Sequence, residues 1–346
     1  EQQKLLASDG DEHDYFGWSV AVSGDTVVVG AQNEDAPAAQ SGAAYVFVRS
    51  GGVWTEQQKL IASDGAESDY FGHSVAISGD TLVVGAYGNN STSTDAGAAY
   101  VFVRSGGVWT EQEKLTASDG DGYDQFGYSV SISGDAVVVG SRYNDDNANN
   151  SGSAYVYQRS GEVWTEQQKL TASDWDQNDE FGFSVSLSGD SLVVIAWGDD
   201  ANSGSAYVFM RSGGVWTEQQ KLTATDAAGS DRFGSGVAIS GESLVVGARL
   251  DDDKGDSSGS AYVFVRSSGV WTEQQKLTAS DGTSGDYFGT SVSISGDTLA
   301  VGALEDDDNG INSGSAYIHT LLELCTKQGH CICKAGYGGA DCGTEL

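Results

Sequence analysis

Short runs of alternating apolar and polar residues, each closed by Gly, Ser or Asp, fill this chain from end to end. In FGWSVAVS, Phe16, Trp18, Val20 and Val22 are expected to share one face while Ser19, Ala21 and Ser23 share the other, the period of two that marks a strand. DTVVVGA, GAAYVFVRS and GVWTEQQKLIAS follow as three more strand-like pieces. SGD and RSGG supply hairpin turns between them, where glycine takes a positive φ without a Cβ clash. Helical periodicity is essentially missing.

The whole pattern then repeats. Phe-Gly pairs begin at Phe16, Phe71, Phe126, Phe181, Phe233 and Phe288, spaced by 55 residues except for 52 between Phe181 and Phe233. A fixed period of this size signals a propeller or a solenoid, and four strands make one propeller blade. The expected fold is therefore all-β: a six-bladed β-propeller of four-stranded antiparallel blades. Blade 6 stops after SGSAYIHT without its own VWTEQQKL strand, while the chain opens on EQQKLLASD, the counterpart of Glu56 to Asp64. Residues 1–8 are thus expected to complete blade 6, closing the ring so that no sheet edge stays open. This places the propeller over residues 1–322 and a small C-terminal module over 323–346.

These six copies resemble the FG-GAP repeat, the building block of the integrin α-chain propeller, across roughly nine-tenths of the chain. The resemblance implies a propeller in an extracellular recognition or adhesion setting, and fold analogy alone assigns no ligand. Two departures matter. The GAP element stands only as Gly-Ala, as in Gly30-Ala31 and Gly85-Ala86, with no proline after it. The calcium loop that such repeats often carry between strands one and two is reduced to SGD or SGE, a turn too short to wrap a cation needing six to eight oxygens. The family's usual calcium site does not carry over.

Composition changes the picture chiefly through charge. The formal net charge of -33 excludes ordinary nucleic-acid binding, since phosphates need a basic surface. In a blade of alternating strands, the 2–3 and 4–1 loops lie on one face, and they hold 33 of the 50 acidic residues. Only Arg142, Arg232, Arg249 and Lys254 oppose them there. On the other face Asp25, Asp80, Asp135, Asp190, Glu242 and Asp297 lie near Arg49, Arg104, Arg159, Arg211 and Arg266, forming exposed pairs worth little individually. Pairs such as Glu56 and Lys59 read as a solvated outer strand.

The crowded acids make cations natural ligands. The 4–1 loops repeat Asp-x4-Asp as Asp9/Asp14, Asp64/Asp69, Asp119/Asp124, Asp174/Asp179, Asp226/Asp231 and Asp281/Asp286, with a third Asp at Asp11, Asp121 or Asp176 in three of them. Asp251, Asp252, Asp253 and Asp256 in blade 5, and Glu305, Asp306, Asp307 and Asp308 in blade 6, add to the supply. These are candidate Ca²⁺ ligands, for weak or diffuse binding. The competing explanation, which carries more weight, is that the aspartates cap turns by accepting backbone N–H bonds.

Trp54, Trp109, Trp164, Trp216 and Trp271 recur at one position of strand four and are assigned to blade packing. Blade 4 departs from the repeat, with Trp175 in its 4–1 loop, Trp197 after strand two and a shortened 2–3 loop. With Tyr87 and Trp18 these make a candidate platform for stacking a sugar ring, against ordinary inter-blade packing. Asn89, Asn90 and Asn149 match the N-glycosylation rule in 2–3 loops, and adjacent Asn89 and Asn90 would share one glycan between them.

All four cysteines, Cys325, Cys331, Cys333 and Cys342, fall near the C-terminus, which suggests a disulfide-stapled appendix in an oxidising compartment. The residues alone leave three pairings open, and a metal site with His330 is a poorer fit. The ending C-x-C-x8-C with Gly336, Tyr337 and Gly338 resembles the second half of an EGF-like module. That resemblance implies Cys333–Cys342, leaving Cys325–Cys331 as the other bridge.

His13, His73, His319 and His330 are scattered, and no nucleophile, acid or base constellation breaks the repeat. No apolar run approaches the roughly 20 residues of a membrane span, and no signal peptide precedes Glu1, so the chain reads as soluble, mature and extracellular. The expected function is a non-catalytic binding or adhesion module that presents its acidic face to cations, a glycan or a protein partner. A self-associating structural subunit of a matrix, sheath or filament is the alternative, with a propeller hydrolase or lyase behind both.

Overall fold

The computed structural model describes residues 2–35, 37–90, 92–308 and 310–321, together with 337–338 and 344–345. Blade 1 shows how one repeat folds. Its strands are Phe16–Ser23, Thr26–Ala31, Ala43–Ser50 and Val53–Leu60, hydrogen-bonded in chain order and antiparallel throughout. Strand two is a run of valines because neighbours cover both of its sides, so nearly every residue is buried, whereas strand four alternates. The tight turn from strand one to strand two passes through Gly24 at a φ of 57°.

Blades 2 to 5 repeat this order, and blade 6 shows Phe288–Ser295, Thr298–Ala303 and Ser315–Thr320 as a three-stranded sheet among the described residues. The fold is thus an all-β, six-bladed propeller with four-stranded antiparallel blades. The chain divides into two compact units, Glu1–Thr223 with blades 1 to 4 and Ala224–Leu346 with blades 5 and 6.

Within each unit the core lies between neighbouring blades. Val46 and Leu60 of blade 1, for example, pack with Phe71, Leu82, Val84, Tyr100 and Trp109 of blade 2. Each fully buried side chain of this size contributes about 1.5–3 kcal/mol from removal of apolar surface. The recurring strand-four tryptophans belong to this packing, with Trp109, Trp164, Trp216 and Trp271 all buried.

The two sequence signatures, Phe-Gly and Gly-Ala, are halves of one contact. A Cβ on Gly85 of blade 2 would lie 2.0 Å from the carbonyl oxygen of Gly127 in blade 3, so only glycine fits. Ser74 Oγ donates to that same oxygen at 2.9 Å, and Phe126 N donates to Ala96 O at 2.9 Å. Gly30, Gly140 and Gly247 meet Gly72, Gly182 and Gly289 in the same way, so blades 1, 2, 3 and 5 are each latched to the next by backbone.

Strand one departs from the expected alternation. Its register slips between Phe16, paired with Ala31, and Ser19, paired with Gly30, and Gly17 takes a φ of 97° to make the bulge. Phe16 and Trp18 therefore do not share a face. Phe16 packs edge-on against Tyr45 and Phe47 of its own blade, while Trp18 lies against His73 of blade 2.

Residues 2–8 adopt no strand, but their bonds follow the repeat. Gln3 exchanges two hydrogen bonds with the Trp54 backbone, at 2.8 and 2.9 Å, as Gln58 does with Trp109. Relative to blade 1 they hold the place that strand four of blades 1, 2 and 3 holds relative to the next. The cysteine pairs Cys325–Cys331 and Cys333–Cys342, and with them the EGF-like features, lie outside the described residues. No helix among the described residues is long and apolar enough to cross a membrane.

Candidate functional site

The acidic loops are organised around a side chain from strand four. In blade 1, Lys59 Nζ reaches Asp9 at 2.7 Å and Glu34 at 3.0 Å, and the Tyr45 hydroxyl lies within hydrogen-bond distance of both carboxylates, at 2.8 and 3.0 Å. The node recurs. Lys114 with Tyr100 holds Asp64 and Asn89 in blade 2, and Lys169 with Tyr155 holds Asp119 and Asp146 in blade 3. In blade 4, Lys221 pairs with Asp174, Asp199 and Asp200, and in blade 5, Lys276 pairs with Asp226, Asp251 and Asp253. In blade 6 the Tyr317 hydroxyl lies 2.8 and 2.9 Å from Asp281 and Asp306, and among the described residues that sheet shows three strands and no lysine at the node.

These lysines correct the sequence reading of strand four. Lys59 and Glu56 are not a solvated pair: Glu56 accepts two bonds from Ser8 at 2.8 Å, and Lys59 turns to Asp9. The loop face consequently receives positive charge that its loops alone do not contain. The signal was present as a lysine at a fixed position in every copy of VWTEQQKL, but its partner lies about 50 residues earlier, where spacing arguments do not reach.

The paired aspartates divide their labour. In blades 1 to 5 the first of each pair joins the lysine node, and in blade 6 Asp281 meets Tyr317. The second accepts the backbone N–H three residues before it: Asp14 from Asp11, Asp69 from Ala66, Asp124 from Asp121, Asp179 from Asp176, Asp231 from Ala228 and Asp286 from Thr283. This is turn capping.

Calcium does not fit the five lysine-bearing nodes. Asp226, Asp251 and Asp253 bring oxygens within 4.8 Å of one another, yet Lys276 Nζ already bonds all three at 2.6–2.8 Å. A Ca²⁺ ion needs six to eight oxygens at about 2.3–2.6 Å and would have to displace that ammonium. Electrostatics agree: burial works to raise Asp64, Asp119, Asp174 and Asp226, but bonds from lysine and tyrosine outweigh it and hold all four below the usual carboxylate value.

Blade 4 opens a cavity of about 490 Å³ between its 4–1 and 2–3 loops. Asp174, Asp176, Asp179, Asp199 and Asp200 line it, with the amides of Gln177, Asn178 and Asn202. The loop beneath it holds Asp200, Ala201 and Asn202 in the left-handed region at φ of 49°, 60° and 67°, a strain of roughly 1–3 kcal/mol per residue. In blades 2 and 3 an asparagine amide, from Asn89 or Asn144, donates to the capping aspartate at 2.9 and 3.1 Å. Blade 4 has Asp199 there, which cannot donate. Burial first, and then repulsion from Asp199 and Asp176, raise the Asp179 carboxyl to about 6, against the lowering pull of the Asp176 N–H and of Lys221.

The aromatic candidates separate. Trp18, Tyr87 and Trp197 join one arc with His73, Tyr128 and Phe183, while Trp175 stands apart in the blade 4 loop, 43% exposed. Along the arc the rings serve one another. Trp197 stacks on Phe183 at 4.8 Å, Tyr87 stacks on Tyr70 at 4.9 Å, and the Arg142 guanidinium covers Tyr128 at 3.8 Å. Trp18, 53% exposed, also lies beside Tyr15, with ring centroids 6.0 Å apart. His73, donor or acceptor to Gln32 at 2.7 Å, is pushed down to about 3 by burial and by Arg142.

Of the glycosylation candidates, Asn89 is buried, with its amide spent on Asp69 and Tyr100. Asn90 and Asn149 are exposed.

Comparison with known proteins gives one family. The model described as FG-GAP repeat matches residues 1–47, 54–102, 109–157, 164–209, 216–264 and 271–319. No curated protein matches the chain.

Proposed function

Because the chain belongs to the FG-GAP repeat family, we propose that it is a non-catalytic extracellular binding module whose acidic loop face receives a basic partner. The observation that carries this reading is the node itself. Wherever the loop carboxylates converge in blades 1 to 5, the group they hold is a lysine ammonium, and further acids such as Asp11, Glu12, Glu67 and Asp121 remain exposed around them. The face that took in five ammonium groups during folding has the chemistry to take more from outside. The clustered cysteines support an oxidising compartment.

The test compares two faces. With immobilised polylysine as the probe, neutralising Asp11, Glu12, Glu67 and Asp121 to their amides should weaken binding about tenfold. Changing Asp25, Asp80 and Asp190 on the turn face to Asn should leave it within about twofold, since those charges are paired with or near arginine. Equal losses from both sets would show that only net charge matters and would sink the proposal.

A further inference from the structure

We propose that blade 2 is a site of covalent self-modification, in which the Lys114 amine displaces ammonia from the Asn89 side chain to form an amide cross-link, with the Asp69 carboxyl relaying the proton. The inference stands apart from the binding-module reading and does not depend on it.

Three contacts carry it. The nucleophile lies against its target: Lys114 Nζ donates to Asn89 Oδ1 at 2.9 Å. The amide carbon is one C=O bond further on, which places it about 3–4 Å from that nitrogen, close to the separation of reacting atoms. The leaving group lies against an acid. Asn89 Nδ2 donates to Asp69 Oδ2 at 2.9 Å, so the nitrogen that must depart already touches a carboxyl able to hand it a proton. That carboxyl also has capacity to spare. Asp69 is 0% exposed, its Oδ2 accepts the Ala66 N–H as well, and its Oδ1 meets no donor among the described residues. Burial holds it above the usual carboxylate value, against the lowering pull of the Ala66 N–H and the Asn89 amide, which makes it a better proton acceptor than an exposed aspartate. The neighbours also fix which way the amide points, because reversing it would set Nδ2 against the ammonium and Oδ1 against the carboxylate.

The step balances without a co-reactant. Lys114 first passes one proton to Asp64, its ion-pair partner at 2.6 Å, and the neutral amine adds to Cγ of Asn89. Both nitrogens then hang from one carbon, and Asp69 takes a second proton from Nζ and delivers it to Nδ2. The Cγ–Nδ2 bond breaks, the Cγ–Nζ amide remains, and the departing ammonia collects the proton held by Asp64 and leaves as ammonium. The first transfer is uphill, since bonds from Lys114 and Tyr100 outweigh burial and keep Asp64 below the usual carboxylate value. The reaction is therefore slow, but it need occur only once in the life of the chain, and the fold keeps the partners together meanwhile. One amide replaces another, so escape of ammonium into solvent draws it forward.

The repeat explains why blade 2 is singled out. In blades 1, 4 and 5 the lysine faces Glu34, Asp199 or Asp251, and a carboxylate held in an ion pair resists attack by an amine. Blade 3 keeps an asparagine, yet Asn144 Oδ1 accepts from Ser153 Oγ at 2.9 Å and Lys169 pairs with Asp119 and Asp146. Blade 2 has Ala98 at the position of Ser153, which leaves the Asn89 carbonyl to Lys114.

The experiment is intact-mass spectrometry of the folded full chain after prolonged incubation at mildly alkaline pH, followed by sequencing of its tryptic peptides. The expected result is a mass lower than that of the sequence by one ammonia, and a branched peptide in which Lys114 is joined to Asn89. Wild type at its full mass with no branched peptide overturns the proposal, and that measurement needs no variant. Lys114→Arg keeps the positive charge in the node and should show neither change. A mass deficit that persists in Lys114→Arg assigns the lost ammonia to cyclisation of an asparagine on its own backbone, which overturns the cross-link. Asp69→Asn, checked for folding by its thermal melt, should slow formation of the branched peptide about a hundredfold. Asp124→Asn in blade 3 should leave that rate unchanged. Equal rates in wild type and folded Asp69→Asn would overturn the part given to Asp69.

Discussion

A single lysine per blade converts a repulsive set of carboxylates into a cohesive one. Lys276 illustrates the stake: its side chain is 17% exposed, and replacing it with methionine would strand Asp226, Asp251 and Asp253 together. Removing one partner of a largely buried ionic cluster costs about 2–4 kcal/mol, so Lys276→Met should lower the denaturation midpoint at pH 7 accordingly. Asp226 lies below its unfolded value of 3.8, so the stability it contributes is present above that value and is lost as pH falls through the folded one. The gap between wild type and Lys276→Met should therefore close in acid. His73 titrates with the same sense for a different reason. Its folded value of about 3 lies below the unfolded 6.5, so stability should fall by about 1.4 kcal/mol per pH unit on acidification between those limits. In His73→Phe, thermal melts should show that one-proton slope gone. Asp179, raised to about 6, pulls the other way between 3.8 and 6, where stability falls as pH rises. None of these partners was legible in the sequence, because each contact joins residues from separate strands and loops. Lys59 in particular lies three residues from Glu56, and proximity in sequence offered the wrong partner.

At the scale of the element, the strands were legible and the joints between them were not. Period-two alternation located strand one, valine-rich runs located strand two, and glycine-bearing turns bounded both, since each of these signals is local. The bulge at Gly17 escaped because Phe-Gly-Trp continues the alternation on paper, while the chain inserts extra residues there to reach the neighbouring blade. Gly85 and Gly79 separate the two uses of glycine. A Cβ at position 85 would meet backbone at 2.0 Å, and one at position 79, with φ of 59°, would meet nothing within 4 Å. Gly79→Ala should thus cost about 1–2 kcal/mol for its left-handed backbone alone. Gly85→Ala should cost well over 3 kcal/mol or prevent soluble expression, because a backbone oxygen cannot step aside. Urea titrations of the two variants side by side test whether the Gly-Ala signature is a latch or a turn. Blade 4 departs from the repeat in sequence through Trp175, Trp197 and a shortened 2–3 loop, and in the fold its two loops line a cavity, which no local signal could show.

For the molecule as a whole, the number of blades and their strand order followed from the repeat, since a period of 55 residues with four strand-like pieces admits few architectures. The N-terminal residues show how the repeat's grammar reaches its end. Gln3 and Ser8 make four hydrogen bonds to blade 1, so deleting residues 1–8 should remove about 2–4 kcal/mol, seen as earlier melting and faster amide exchange in Val53–Leu60. The lysine nodes carry a wider consequence. A protein braced by dissolved ions loosens whenever its medium is diluted or a chelator arrives, because the brace can leave. Here each brace is tethered by the peptide chain itself, so its local concentration is fixed by covalent geometry rather than by the mineral content outside. Rainwater and brine present these five joints with the same counter-ion.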